Sequence, residues 1–186
     1  MKIALFGGAF DPPHLGHQRI AQEMIGHAIV DEVWFVPVFE HPWEDRLSKW
    51  HMAAYEHRKM MVELILLPHT HLYEYLNVSF TYPTLLQVAK NHPEDEFSWI
   101  IGSDNLPTFG DWDCYQKIIN EFKVFAYPRK GFPLKQFFAG INLLDDFPEI
   151  DVSSTMVKEK LKQGESISKL VDAKIAQYIQ NNHLYT

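Results

Sequence analysis

The chain has 186 residues, 46% of them hydrophobic and 22% charged, with a formal charge of −7. That composition fits one globular domain with its own core, and a negative chain without a basic tail excludes electrostatic binding of nucleic acid. A single cysteine, Cys114, excludes an internal disulfide framework; with no leader-like or membrane-length apolar run, the expected location is the cytoplasm.

The first predicted element is a strand, Ile3-Ala4-Leu5-Phe6, ended by Gly7 and Gly8. A short continuous apolar run suits a strand buried on both faces of a parallel sheet. The glycines permit a sharp turn and let a ligand approach main chain that carries no Cβ. Beyond the turn, Leu15, Ile20, Ala21, Met24 and Ile25 recur at helical spacing, so a helix begins near His14. Its N–H groups and positive dipole end would face the turn as an anion site. His14 and His17 share one face of that first turn, where imidazoles can donate to phosphate oxygens and carry positive charge beside a bound phosphate.

Val33 to Val36 reads as the second strand, closing a βαβ unit. Residues 39–50 are polar, aromatic and non-periodic, a loop holding His41, Arg46 and Lys49. Residues 52–67 carry a helical apolar stripe, and 71–76 form the third strand. Ser79 or Thr81 is placed to cap a helix through Leu85, Leu86, Val88 and Ala89. Phe97 to Ile101 is the fourth strand, running into Gly102, Ser103, Asp104 and Asn105, and Phe122 to Ala126 is the fifth, with Arg129 just beyond. Residues 132–150 read as irregular. Ser153, Ser154 and Thr155 open a helix carrying Val157 and Leu161, and a last helix spans about 169–181. These elements predict an α/β chain: one Rossmann-like doubly wound domain over residues 1–186, with a mainly parallel sheet of about five strands and helices on both faces. Strands one and four should flank the point where strand order reverses, where open α/β sheets bind ligands.

The stretch Gly7-Gly8-Ala9-Phe10-Asp11-Pro12-Pro13-His14-Leu15-Gly16-His17 resembles the turn of the nucleotidylyltransferase superfamily with the H-x-G-H motif. Within it the chain is most similar to nicotinate or nicotinamide mononucleotide adenylyltransferases. Gly102-Ser103-Asp104 matches the G-x-D segment of that family, and Ser79 to Thr81 its S-x-T element. Ser153 to Lys158 matches its I-S-S-T-x-x-R motif, with Lys158 where arginine is usual. The resemblance implies adenylyl transfer from ATP to a pyridine mononucleotide with release of pyrophosphate. It implies Mg²⁺ carried by ATP, with no metal ligand from protein side chains. Neither nucleic acid nor membrane is an expected partner, and a homo-oligomer is left open.

By the same resemblance His14, His17, Lys158 and a loop cation, Lys49 with Arg46 as rival, act on the transferring phosphates. Gly7, Gly8, Phe10, Ser153, Ser154 and Thr155 cradle ATP. Ser79, Thr81, Gly102, Asp104, Trp112 and Arg129 receive the acceptor; because a site with a cation and spare N–H donors should prefer the ring carboxylate to a neutral amide, nicotinate mononucleotide is expected ahead of nicotinamide mononucleotide. His57-Arg58 is read as a structural pair.

The chemistry suits such a set, because the nucleophile is a phosphate oxygen that is already anionic and needs no general base. What remains is to align two anions and stabilise charge on the transferring and leaving phosphates. The alternatives are transfer of an adenylyl or cytidylyl group to another phosphate acceptor, and nucleotide binding without catalysis. A histidine metal centre is disfavoured, since the ten histidines are scattered and no H-E-x-x-H occurs.

Overall fold

The computed structural model of the protein describes residues 1–39, 52–75 and 80–185. β1 (Lys2–Gly8) is the strand expected from the first apolar run. It pairs in parallel with β2 (Glu32–Pro37) on one edge and with β4 (Glu96–Gly102) on the other. β3 (Thr70–Leu72) extends the sheet beyond β2, and β5 (Lys123–Tyr127) and β6 (Ile141–Leu143) extend it beyond β4, again in parallel. The order is β3-β2-β1-β4-β5-β6, so strand order reverses between β1 and β4 as expected.

Alternation along β1 divides the core. Ile3 and Leu5 join one apolar cluster with Leu85, Val88, Phe109 and Ile118, while Ala4 and Phe6 join another with Ile20, Met24 and Val62. Helices α1 (Leu15–Gly26) and α2 (Tyr55–Leu64) therefore cover one face. α3 (Thr81–Asn91), α4 (Tyr115–Glu121) and a 3-10 helix (Ser103–Asp111) cover the other. α5 (Ser154–Lys162) and α6 (Ala173–Asn181) pack on α2 in a third cluster through Met61, Ile65, Val157, Ile175 and Ile179. The result is a single α/β domain.

The structure corrects the sequence reading in several places. The sheet has six strands, not about five, because β6 lies in the stretch read as irregular. Its three residues are too few to show a period, and only Ile141 is fully enclosed. α2 is shorter at both ends than the apolar stripe, and β3 is a three-residue strand that stops at Leu72. Thr81 does not cap α3: the N-cap is Phe80, without a side-chain bond, and the Thr84 hydroxyl donates to the Phe80 carbonyl (2.8 Å).

The meeting of β1 and β4 tolerates no side chain at Gly7, whose Cβ would lie 2.2 Å from the Trp99 ring. Gly7→Ala is expected to cost about 1–3 kcal/mol of unfolding free energy through overpacking. Among the described residues nothing lies within 4 Å of a Cβ built at Gly26, at the end of α1. Gly26→Ala is therefore expected to add about 0.4–1 kcal/mol by restricting the unfolded chain. Urea unfolding of the two variants checks both signs, and equal stabilities would contradict the packing described.

Candidate active site

The turn that leaves β1 is buried, with Phe10, Asp11 and His14 each 1–2% exposed. A buried carboxylate must be hydrogen-bonded or paired. Asp11 Oδ1 accepts from the Ala53 N–H (3.0 Å) and the Tyr185 hydroxyl (2.6 Å), and Oδ2 accepts from Lys158 Nζ (2.8 Å). Arg58, on α2, donates to the carbonyls of Ala9 (2.8 Å), Ala53 (2.9 Å) and Phe39 (3.4 Å). The Ser154 hydroxyl donates to the Pro12 carbonyl (2.8 Å). The turn is thus tied to α2, α5 and the segment after α6.

His14 is the N-cap of α1, and its N–H donates to His17 Nδ1 (3.1 Å). A ring nitrogen that accepts a hydrogen bond carries no hydrogen, so neutral His17 holds its proton on Nε2. The two rings stack 3.7 Å apart, and Phe10 packs edge-on against His17 at 4.8 Å. Burial first, and then the Arg129 guanidinium, push the His14 pKa down to about 3. Burial, His14 and Arg129, in that order, hold His17 well below its usual value. Both imidazoles are therefore neutral donors at neutral pH, and a positive charge on either would need a bound anion to offset the burial. Among the described residues His14 Nδ1 is buried without a hydrogen-bond partner. The expected anion site at the head of α1 is narrower than the sequence implied, because the Leu15 N–H is taken by the Leu170 carbonyl (2.9 Å).

Outside the carboxyl ends of β1, β4 and β5 opens a crevice of about 500 Å³. Gly7, Gly8 and His17 line it, as do Thr81, Thr84, Asn105, Thr108 and Trp112, with Gly102 and Arg129 also in its wall. Trp112 is half-buried, backed by Phe109 at 5.1 Å. Arg129 Nε lies 3.6 Å from Asp104 Oδ1, and its Nη2 donates to the Val152 carbonyl (3.4 Å), just before α5. Gly102 leaves room for that side chain, since a Cβ there would sit 2.2 Å from Asp104 Oδ1 and 2.5 Å from Arg129 Cδ. Arg129 consequently brings positive charge into the crevice wall, close enough to act on the histidine pair.

The structure gathers His14, His17, Gly7, Gly8, Arg129 and the head of α5 around one turn. Ser153 caps α5 by accepting the Met156 N–H (3.1 Å), and Thr155 is exposed. The Phe10 ring points into the core instead of the crevice, and its φ of +48° is a left-handed conformation uncommon for a bulky residue. Asp104 is occupied by Arg129 and by Asn105 Nδ2 (3.3 Å). Lys49, Arg46 and Ser79 lie outside the described residues. The structural reading of His57-Arg58 holds: Arg58 grips main chain, and His57 Nδ1 lies 3.0 Å from the Tyr178 hydroxyl. Sequence reasoning missed Asp11 as the hub of the turn, though it stands inside the quoted motif. It also missed the Tyr185 contact, for which no local pattern exists, and Asn105, Thr84, Asp111 and Asp113 in the crevice wall. Among the described residues no three His, Cys, Asp or Glu side chains converge on a metal site, and no helix is long and apolar enough to cross a membrane.

The cytidylyltransferase-like family model matches residues 5–160. A probable nicotinate-nucleotide adenylyltransferase of Halalkalibacterium halodurans is 32% identical over 191 residues, covering 99% of this chain and 91% of its own. The nicotinate-nucleotide adenylyltransferase of Bacillus subtilis is 31% identical over 193 residues, covering 99% and 98%. In fold, the Plasmodium falciparum nicotinic acid mononucleotide adenylyltransferase complexed with NaAD superposes with a TM-score of 0.83 at 20% identity, covering 99% of this chain and 97% of that one. The six-stranded parallel sheet with its histidine turn is thus a cytidylyltransferase-like nucleotidyltransferase fold. The chain belongs to the nicotinate-nucleotide adenylyltransferase family.

The histidine pair gives a pH dependence of known sign. Its folded pKa values lie below the unfolded 6.5, so the unfolded chain takes up protons first as the pH falls. Stability is full above pH 6.5 and drains away toward about pH 3 for His14, at about 1.4 kcal/mol per pH unit and per histidine. Between pH 7 and 5, His14→Gln is expected to lose about 2 kcal/mol less than wild type in urea unfolding. Identical pH dependence in both proteins would contradict the burial assigned to His14.

Proposed function

We propose that the protein transfers the adenylyl group of ATP to nicotinate mononucleotide, giving deamido-NAD and pyrophosphate. The observation that carries this reading is one crevice lined by the neutral His17 imidazole, the Arg129 guanidinium and the Trp112 ring. Identity of 31–32% to nicotinate-nucleotide adenylyltransferases over nearly the whole chain supports it.

In this reading the acceptor phosphate attacks the α-phosphorus of ATP beside His17, and pyrophosphate leaves. His17 Nε2–H and His14 donate to the phosphates, and the Lys158 ammonium, standing behind the turn, serves as a cation for the triphosphate. Gly7 and Gly8 let the phosphates reach main chain, with Phe10 bracing the His17 ring from the core. Ser153, Ser154 and Thr155 present the head of α5, and Lys49 contributes a loop cation. Preorganised donors of this kind act on charge that develops in the transition state. Mg²⁺ bound to the triphosphate would neutralise charge on the departing pyrophosphate, its ligands being phosphate oxygens.

At the other end Trp112 stacks on the pyridine ring, and Gly102 and Asp104 border the ribose and phosphate, with Ser79 joining that set only through the S-x-T resemblance. Arg129 faces the acceptor phosphate, where its guanidinium suits paired oxygens. α3 begins beside this end without a side-chain cap, and Phe80, Thr81 and Thr84 line the crevice. An uncapped helix N-terminus favours a carboxylate. This supports the acid over the amide, although Asp111 and Asp113 also border the crevice. A cytoplasmic location and a single nucleotidylyltransferase domain over residues 1–186 complete the proposal.

ATP-dependent pyrophosphate release with the two mononucleotides tests it. Nicotinate mononucleotide is expected to give the higher kcat/KM, and Trp112→Ala should lower the value for both acceptors. His17→Ala should reduce kcat about a hundredfold or more, with a smaller loss of ATP affinity. Wild-type protein that releases pyrophosphate with neither acceptor would overturn the assignment.

A further inference from the structure

Tyr185 lies at the far end of the chain, 174 residues from Asp11, yet its hydroxyl donates to Asp11 Oδ1 at 2.6 Å. Lys158 Nζ sits 5.9 Å from the centre of the Tyr185 ring, within range of a cation–π contact. One side chain therefore touches both halves of the buried Asp11–Lys158 ion pair, whose own separation is 2.8 Å.

The approach is built by the chain around it. α6 is docked on α2 by Ile175 and Ile179 and by the His57–Tyr178 contact. After α6, His183 and Tyr185 take left-handed φ values of +49° and +64°, and the Leu184 N–H closes back on the Ile179 carbonyl (3.1 Å). That reversal turns the Tyr185 ring toward the turn of β1. Burial and the Asp11 carboxylate raise the Tyr185 pKa, so the hydroxyl stays protonated and remains the donor.

We propose that Tyr185 is a positioning residue for the phosphate site, holding the Asp11 carboxylate by its hydroxyl and flanking the Lys158 ammonium with its ring. The reason is geometric. A lysine ammonium on a four-carbon stem has no preferred direction of its own, in contrast to the planar fork of arginine. Asp11 gives Lys158 a partner, but a carboxylate held at one oxygen alone can swing about its Cβ–Cγ bond. The Ala53 N–H and Tyr185 hydroxyl together pin Oδ1, which leaves Oδ2 directed at Lys158. The segment after α6 thereby completes the surroundings of a side chain on α5. This inference rests on the reading of Lys158 as a cation for the triphosphate.

Tyr185→Phe removes the hydroxyl and keeps the ring, and calorimetry with ATP and with AMP measures its effect. Because both ligands are titrated into the same sample, a reduced folded fraction cancels from the ratio of affinities. Tyr185→Phe is expected to weaken ATP about two- to tenfold relative to AMP, the size of one hydrogen bond. KM for the mononucleotide should be unchanged. In a Lys158→Met background the same substitution should have no further effect on the ratio, since it acts through the lysine. An unchanged ATP-to-AMP ratio in Tyr185→Phe, or an equal effect with and without Lys158, overturns the proposal. The binding arms stand apart from turnover: wild type that binds ATP but transfers no adenylyl group would sink the proposed reaction and leave this test intact.

Discussion

A carboxylate shut away from water has to find its donors inside the protein, and Asp11 finds them in three parts of the chain. The Ala53 N–H just before α2, Lys158 on α5 and Tyr185 beyond α6 converge on it. Removing one partner of a buried ion pair leaves an uncompensated charge, which typically costs about 3–5 kcal/mol. The arrangement therefore holds as a set. Its effect is to fasten a turn that has no regular structure, from Ala9 to Pro13, against helices packed on each other through a separate apolar cluster. Arg58 and Ser154 add ties to the carbonyls of the same turn. With the turn fixed, His14 begins α1 at a defined place, and its N–H fixes the tautomer of His17.

Close approach is the second constraint. Gly7 passes against Trp99 and Gly102 against Arg129, so the carboxyl ends of β1 and β4 leave a space instead of filling it with side chains. Burial then governs the electrostatics. A histidine pair next to a guanidinium stays neutral, and among the described residues Arg129 is the cation lining the crevice, partnered by Asp104. An incoming phosphate would meet oriented N–H donors that are already desolvated, with no water shell of their own to shed.

Much of this was legible in the residues, for identifiable reasons. β1, β2 and β4 read clearly because central strands of a parallel sheet are apolar on both faces, and the glycine pair marks where β1 ends. The histidine turn was readable because its residue types and spacing follow from the strand–turn–helix context. β6 was not, since a three-residue edge strand gives too few positions for a period. Thr81 looked like a cap, but Phe80 takes that place and Thr81 faces the crevice. The neutral state of the histidines is a property of burial, which spacing does not encode. Asp11 and Lys158 lie 147 residues apart and Tyr185 farther still, so their meeting emerges only from the packing of α5 and α6 onto α2.

The central claim is that one crevice, from the β1 turn to Trp112, takes both nucleotide halves. A crystal structure with deamido-NAD tests it most directly. The account predicts the pyrophosphate against Gly7, Gly8 and His17, with His17 Nε2 within hydrogen-bonding distance of a phosphate oxygen and the pyridine ring stacked on Trp112. A dinucleotide bound elsewhere, or one whose pyridine lies away from Trp112 with its phosphates out of reach of His17, would contradict it.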